Sequence, residues 1–231
     1  MSPTEALCFG GLAATSGVSL LYTIHPVCAA LGLSNIILYA GPYTYSKPHA
    51  EVNTWIGAVV GAVPPLIGWS AATEGSLLTT DPFLLALILY YWQFPHFFAL
   101  SWLHREDYAR GGFQMVAVND PKGARSADLI FKYTCYLSTL PVASSALGVT
   151  SYMFAFEGTL LNGYMLYLAH RFSQEQSNKA ARKVFFSTLW YLPLLLAGFV
   201  FHNRNWDTLE ENIRSTPVSY VSSVASTFDD L

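Results

Sequence analysis

The chain has 231 residues, 52% hydrophobic and 12% charged, with 12 Lys and Arg against 15 Asp and Glu and a net charge of −3. That is about half the charge of an ordinary soluble protein, and with no basic cluster a nucleic-acid binder is excluded. In the first 103 residues only Glu5, Lys47, Glu51, Glu74 and Asp81 are charged, so a soluble enzyme and a disordered chain fit poorly and a polytopic membrane protein fits well.

A membrane crossing takes about 20 mainly apolar residues for a hydrocarbon layer of about 30 Å. Seven spans are predicted: 8–24, 27–45, 54–72, 82–103, 129–151, 158–172 and 184–202. They must be helices, because lipid offers the backbone no hydrogen-bond partners. Barrel strands of about ten alternating residues do not fit such continuous runs. The first span follows almost directly on Met1, with no Arg-rich presequence and no cationic signal segment. An uncleaved signal anchor and a chain lacking an upstream part both fit. Cys8, Cys28 and Cys135 lie in apolar stretches without paired or metal-ligand spacing, which gives them packing roles.

Between the second and third spans, residues 43–53 read YTYSKPHAEVN. Lys47 is the sole cation of the first 103 residues, which favours an anion contact. His49 and Glu51 read as interfacial. In the third span Gly57 and Gly61 form GxxxG, a spacing that lets a neighbouring helix approach closely. Pro64-Pro65 must distort that helix and free carbonyls near its middle. A kinked packing helix and a break lining a cavity both fit.

The fourth span, PFLLALILYYWQFPHFFALSWL, sets Gln93, Pro95 and His96 in apolar surroundings. His96 lies about 12 Å below the boundary at His104, at 1.5 Å per residue. If the helix continues past His104, then Gln93, His96, Leu100 and Asp107 share one face. A neutral histidine bonded to another helix is the plainer reading. The alignment of polar groups favours a site residue facing a cavity. The next segment packs His104, Arg105, Glu106, Asp107 and Arg110 together. It is either a solvated interfacial loop or a site for an anionic substrate. In the second case Arg105 would bind phosphate and Asp107 would hold Mg²⁺.

The sixth span is the shortest and abuts Glu157; a start nearer Met153 is allowed. The odd-numbered loops, 25–26, 73–81 and 152–157, contain no Lys or Arg. The even-numbered loops, 46–53, 104–128 and 173–183, with Arg171 at the edge, contain nine. The positive-inside rule therefore puts the even loops on the cytoplasmic or matrix side. Residues 204–231 read as a disordered Ser/Thr-rich tail, leaving 1–203 as the bundle.

The segments YTYSKPHAEVNTWIGAVVGAVPPLIGWSAAT and WQFPHFFALSWLHREDYARGGFQM resemble the protoheme IX farnesyltransferase (heme O synthase) branch of the UbiA-type intramembrane prenyltransferases. The wording is nearer the mitochondrial members, and the likeness runs from about Cys8 to Phe201. It implies an all-α bundle of nine spans, of which this chain has about seven, lacking the first two. It implies a mitochondrial inner-membrane enzyme with basic loops facing the matrix. Such an enzyme moves the farnesyl group of farnesyl diphosphate onto a vinyl carbon of protoheme IX, with Mg²⁺ on the diphosphate and heme as substrate. Partners would be the lipid bilayer and heme A synthase or oxidase assembly factors.

By position, His96 matches the family's cavity histidine, whose role is an iron contact or proton movement. Asp107, Arg105 and Tyr108 match the second polar loop near diphosphate and Mg²⁺. Lys47 and Asn53 match the first basic segment, and Gln93 joins them as a substrate contact. Two departures stand out. Lys47-Pro48 replaces the family's Lys-Arg pair, and the aspartate-rich motif N-D-x-x-D-x-x-x-D is absent, so the chain alone is expected to lack normal activity. Other readings are a UbiA-type enzyme with a quinone or chlorophyll-like acceptor, a transporter with broken helices, and a non-catalytic heme-binding fragment.

Overall fold

The computed structural model describes residues 2–204, and the predicted tail at 204–231 lies almost wholly outside them. Helix α1 (Pro3–Ile24) opens with a capping box: the Ser2 hydroxyl accepts from the Glu5 N–H, and the Glu5 carboxylate accepts from the Ser2 N–H. Two of the orphan amides of a helix start are thereby satisfied. The helix stops at His25, whose backbone is extended because Pro26 follows. His25 Nδ1 then accepts from Val27 N–H and caps α2 (Pro26–Leu38). Helix α2 runs into a π-helical turn (Tyr39–Tyr43) that contains Pro42, and then into α3 (Thr44–Ser46), giving one rod from Pro26 to Ser46.

The remaining helices are α4 (Asn53–Ala72), α5 (Asp81–Leu103), α6 (Arg105–Arg110), α7 (Ala124–Ala146), α8 (Tyr152–Glu175) and α9 (Asn178–Phe201). Each of the seven predicted spans thus falls on a long helical rod. Five of the rods (α1, α2–α3, α4, α5 and α9) are long and apolar enough to cross a membrane. Helix α7, with Arg125, Asp128 and Lys132, and α8, with Glu157, Arg171 and Glu175, are as long but more polar.

Three expectations need correcting. The sixth span is a full helix of 24 residues that absorbs the expected loop 152–157. Glu157 is tolerated there because its carboxylate meets His202 Nε2 at 3.1 Å near the helix end. The fifth span sits about five residues earlier than expected, between Gly123 and Gly148, both at φ +76°. A left-handed backbone at these glycines fixes both ends of α7. Pro64-Pro65 leaves α4 continuous over 20 residues. Residues 104–110, read as a solvated loop or an anion site, are mostly exposed, whereas the segment that follows α6 is buried, with Met115, Val116 and Ala117 at most 3% exposed.

The core lies between α4, α5, α7, α8 and α9 in two clusters. One gathers Phe94, Phe98, Trp102, Ile130, Phe172 and Val184; the other gathers Ile88, Leu137, Met165, Tyr191, Leu195 and Phe199. In lipid such contacts act through close packing and buried hydrogen bonds rather than through exclusion of water. Phe94 stacks on Tyr133 at 3.8 Å between centroids, and Tyr133 Oη accepts from Trp55 Nε1 at 2.6 Å. Helix α1 has no buried residue and packs chiefly on α2.

Both ends of the bundle are laced. At one end the Gln114 N–H donates to the Lys47 carbonyl at 2.8 Å, Glu51 pairs with Arg125 at 2.7 Å, and Arg105 donates to Asn178 Oδ1 at 3.1 Å. The three basic loops are therefore together. At the other end Asn203 donates to Asp81, and the Ser151 N–H donates to the His202 carbonyl. Glu51, read as merely interfacial, is a tie between two loops; it also accepts from Asn119 Nδ2 at 2.9 Å.

Candidate functional site

A cavity of about 340 Å³ lies between the π-turn rod, α4 and α5. The two glycines of α4 make room for it. A Cβ at Gly57 would stand 2.8 Å from Tyr43 Cε2, and one at Gly61 would stand 2.7 Å from Gln93 Cδ. GxxxG here does not seat one helix backbone; it seats a tyrosine from one neighbour and a glutamine from the other. Gln93 Nε2 donates to the Ala58 and Leu89 carbonyls, both at 3.1 Å. Pro64 and Pro65 lack the N–H groups that would meet the carbonyls of Val60 and Gly61, and both residues line the cavity.

His96 lines the same cavity from α5. Its ring stacks on Trp92 at 4.8 Å and meets Phe185 at 4.9 Å. Its Nδ1 is 2.8 Å from Thr188 Oγ1 on α9. The Thr188 hydroxyl donates its single hydrogen to the Phe185 carbonyl at 2.5 Å. Thr188 Oγ1 must therefore accept from His96, which puts a proton on Nδ1, so that in the neutral ring the lone pair is on Nε2. A second tie fixes the same spot, since Trp92 Nε1 donates to the Thr188 carbonyl at 2.9 Å. The arrangement fixes one imidazole in the wall of a mainly aromatic pocket whose other polar side chains are Gln93, Thr54 and the two tyrosines.

Lys47 sits at the basic end of the π-turn rod. Its ammonium lies over the Tyr43 ring at 4.4 Å and the Tyr39 ring at 5.5 Å. Both rings line the cavity, so the charge stands at the pocket's aromatic wall. Cation–π contacts of this kind are worth about 0.5–2 kcal/mol, more when desolvated. Tyr108 of α6 contacts Phe97, another lining residue, at 6.3 Å. Burial pushes the Tyr108 hydroxyl above its ordinary pKa, so it stays protonated.

The other expected site residues are placed differently. Asn53 is 1% exposed, and its amide donates to the Ala50 and Gln114 carbonyls, each at 2.7 Å. Both donors go to the backbone, so Asn53 ties the 113–117 segment to α4. Arg105 stacks on Trp102 at 4.4 Å and donates to the Trp102 carbonyl and to Asn178. Asp107 is not on the His96 face. Helix α5 ends at His104, whose backbone leaves the helical region (φ −109°, ψ 20°), and α6 is a separate helix. The expected four-residue stripe is therefore interrupted.

Asp107 is 58% exposed. Arg110 and His104 hold its two oxygens and keep its carboxyl below the usual carboxylate range. Mg²⁺ binding draws on one or two carboxylates free to face the metal. Among the described residues no three His, Cys, Asp or Glu come together, and Asp107 is already engaged. As arranged, these residues do not form a Mg²⁺ site.

Three contributors to the pocket were missed in the sequence. Thr188 received no role there; a hydroxyl in an apolar span was its only signal. Tyr39 is one of 14 tyrosines. Tyr43 lies inside the recognised segment but received no role.

Three comparisons bear on this geometry. The UbiA prenyltransferase family profile matches residues 1–192. The mitochondrial protoheme IX farnesyltransferase of Homo sapiens is 45% identical over 197 residues, covering 85% of this chain and 44% of that protein. Those of Yarrowia lipolytica and Arabidopsis thaliana are 38% and 36% identical, covering 90% and 91% of this chain and 47% and 49% of theirs. The chain spans about half the length of the curated relatives it matches. A solved structure described as a digeranylgeranylglyceryl phosphate synthase in membranes superposes with a TM-score of 0.68 at 15% identity. It covers 87% of this chain and 70% of its own, and supports the fold alone.

Proposed function

The chain belongs to the UbiA prenyltransferase family, and from that membership we propose that it carries out, or forms the part of a protein that carries out, farnesyl transfer from farnesyl diphosphate to a vinyl group of protoheme IX. The observation that carries the reading is the α4–α5 cavity: an aromatic pocket with a cation at its wall and one oriented imidazole inside. The relatives' names supply the acceptor, and their common location supports a mitochondrial membrane protein. On this reading it is the inner membrane, with the laced basic end toward the matrix.

The chemistry divides among these residues. The C1–O bond of farnesyl diphosphate breaks, and the departing diphosphate takes the electron pair beside Lys47, whose charge offsets it. On this reading the allylic cation left behind would lie among the aromatic side chains that line the cavity, Tyr39, Tyr43, Trp92, Phe94 and Phe97. The terminal carbon of the vinyl group attacks C1, and positive charge moves to the carbon next to the porphyrin. Water adds there and loses a proton, leaving the new hydroxyl. His96 Nε2 either holds the heme iron and so places the vinyl group, or takes that proton. The apolar walls keep water from the first cation until the acceptor is in place. Heme A synthase or oxidase assembly factors would follow on the product.

The test gives the reconstituted chain farnesyl diphosphate with protoheme IX, and in parallel with quinone-type acceptors. Binding is read by visible absorption and product by mass. Protoheme binding that weakens in His96→Ala, with any product appearing as the farnesyl-hydroxyl adduct, supports the reading. Failure to bind protoheme, or prenylation of a quinone in preference to it, overturns the reading.

A further inference from the structure

A second cavity, of about 190 Å³, opens between the end of α8 and the start of α9, lined by Leu168, Arg171, Glu175, Lys179, Ala180 and Lys183. None of these residues lines the α4–α5 pocket. Arg171 and Glu175 are one turn apart on α8, and Lys179 and Lys183 are one turn apart on α9. Arg171 donates through Nε and Nη2 to Glu175 Oε1. Among the described residues neither lysine has a salt bridge. Three cations thus face one carboxylate around a slot floored by Leu168 and Ala180, each 5% exposed. The first turn of α9 adds the positive end of its helix dipole. An excess of two positive charges around a recess calls for an anion.

What lies beneath the slot decides which anion. The helical stripe through Arg171 continues toward the middle of the membrane as Tyr167 and Tyr164. The stripe through Lys183 continues as Phe186 and Trp190. Tyr164 and Trp190 touch at 5.7 Å, so the two stripes face each other. All four rings are exposed, by 43% to 56%. The surface is basic at the membrane boundary and aromatic below it, with both parts on one seam. Basic recesses between spanning helices recognise phospholipid headgroups.

We propose that the α8–α9 slot binds the phosphate of an anionic phospholipid, whose acyl chains lie along the Tyr164–Trp190 seam. Arg171, Lys179 and Lys183 hold the phosphate, and Glu175 orients Arg171. The site is separate from the transfer chemistry, so its test needs no turnover.

The delipidated 231-residue chain in neutral detergent is titrated with phosphatidylglycerol, phosphatidylcholine or inorganic phosphate, and retained lipid is read by native mass spectrometry. Phosphatidylglycerol is expected to bind at least about tenfold tighter than phosphatidylcholine. Lys179→Gln with Lys183→Gln should weaken it roughly 30-fold, and Lys183→Gln alone about fivefold. Lys122→Gln, which removes one charge as Lys183→Gln does but in another loop of the same end, should stay within about twofold. Glu175→Gln, which removes the one carboxylate, should tighten binding. No preference for the anionic lipid overturns the proposal. Equal weakening by Lys122→Gln would reduce the site to general surface charge. Displacement of the lipid by inorganic phosphate at millimolar concentration would make it a free-anion site and also overturn it.

Discussion

Gly61→Ala probes how the cavity is built. The added methyl would stand 2.7 Å from Gln93 Cδ and 2.8 Å from Nε2, so the glutamine has to swing away. That breaks both donor bonds, to the Ala58 and Leu89 carbonyls. Side-chain hydrogen bonds in membrane proteins are worth about 0.6 kcal/mol on average, up to about 1.7, and overpacking adds about 1–3 kcal/mol. Alanine's better helix propensity returns at most about 1 kcal/mol. A net loss of about 1–3 kcal/mol is expected. Gln93→Ala alone loses the same bonds, about 1 kcal/mol. In the double variant the new methyl enters the space the glutamine left, so the pair should cost about as much as Gln93→Ala alone. The coupling then equals the cost of Gly61→Ala, about 1–3 kcal/mol, read from unfolding in mixed micelles for the four corners of the cycle. Gly68→Ala, with nothing within 4 Å of its Cβ, is the neutral control. Additivity within about 0.5 kcal/mol would refute the idea that Gly61 exists to seat Gln93.

Thr188→Val removes the acceptor for His96 Nδ1–H and frees the ring to change tautomer. Protoheme affinity or farnesyl transfer should fall about tenfold, with Thr188→Ser recovering most of it; an unchanged Thr188→Val would sink that role. Asn53→Ala should lower stability by about 1–3 kcal/mol, because the Ala50 and Gln114 carbonyls lose their donor, and leave farnesyl diphosphate binding in place, whereas Lys47→Ala should cost no more than its cation–π contacts, about 0.5–2 kcal/mol, and weaken farnesyl diphosphate binding. The reverse pattern in calorimetry and binding would exchange their roles. Asp107 has its folded pKa depressed, so its pairing with Arg110 and His104 contributes above the ordinary carboxylate value of 3.8 and is lost as pH falls through the lower folded value. Amide exchange across Arg105–Arg110 should accelerate only in that acid range; a loss nearer neutrality would contradict it.

How far the sequence could be read depended on the range of the interaction. The spans follow from composition along a single stretch, and all seven fell on long helices. The GxxxG pair of α4 was legible as a close approach, but its occupants, Tyr43 and Gln93, were not, because spacing carries no information on partners from other helices. His96 stood out as a polar group in an apolar run. Its partner Thr188, 92 residues away, could not be inferred from local pattern. Asn53 and Arg105 look like ligands in the sequence because both are polar and near a membrane boundary. In the fold their donors go to the Gln114 and Trp102 carbonyls and to Asn178. The break at His104 carries no Pro or Gly signal, which is why Asp107 was extrapolated onto the face of His96.

The most direct measurement concerns where the farnesyl chain lies. A farnesyl diphosphate bearing a photoreactive group near the end of its chain is bound to the reconstituted chain, irradiated, and the labelled peptides are mapped by mass spectrometry, with and without excess unlabelled farnesyl diphosphate. Labelling should fall within 39–61 and 92–97, the two faces of the α4–α5 cavity, should be displaced by the unlabelled compound, and should drop in Gly57→Leu, which fills the pocket. Displaceable labelling confined to the lipid-facing side of α1 or to the α8–α9 seam would contradict the assignment of this cavity as the site of farnesyl transfer.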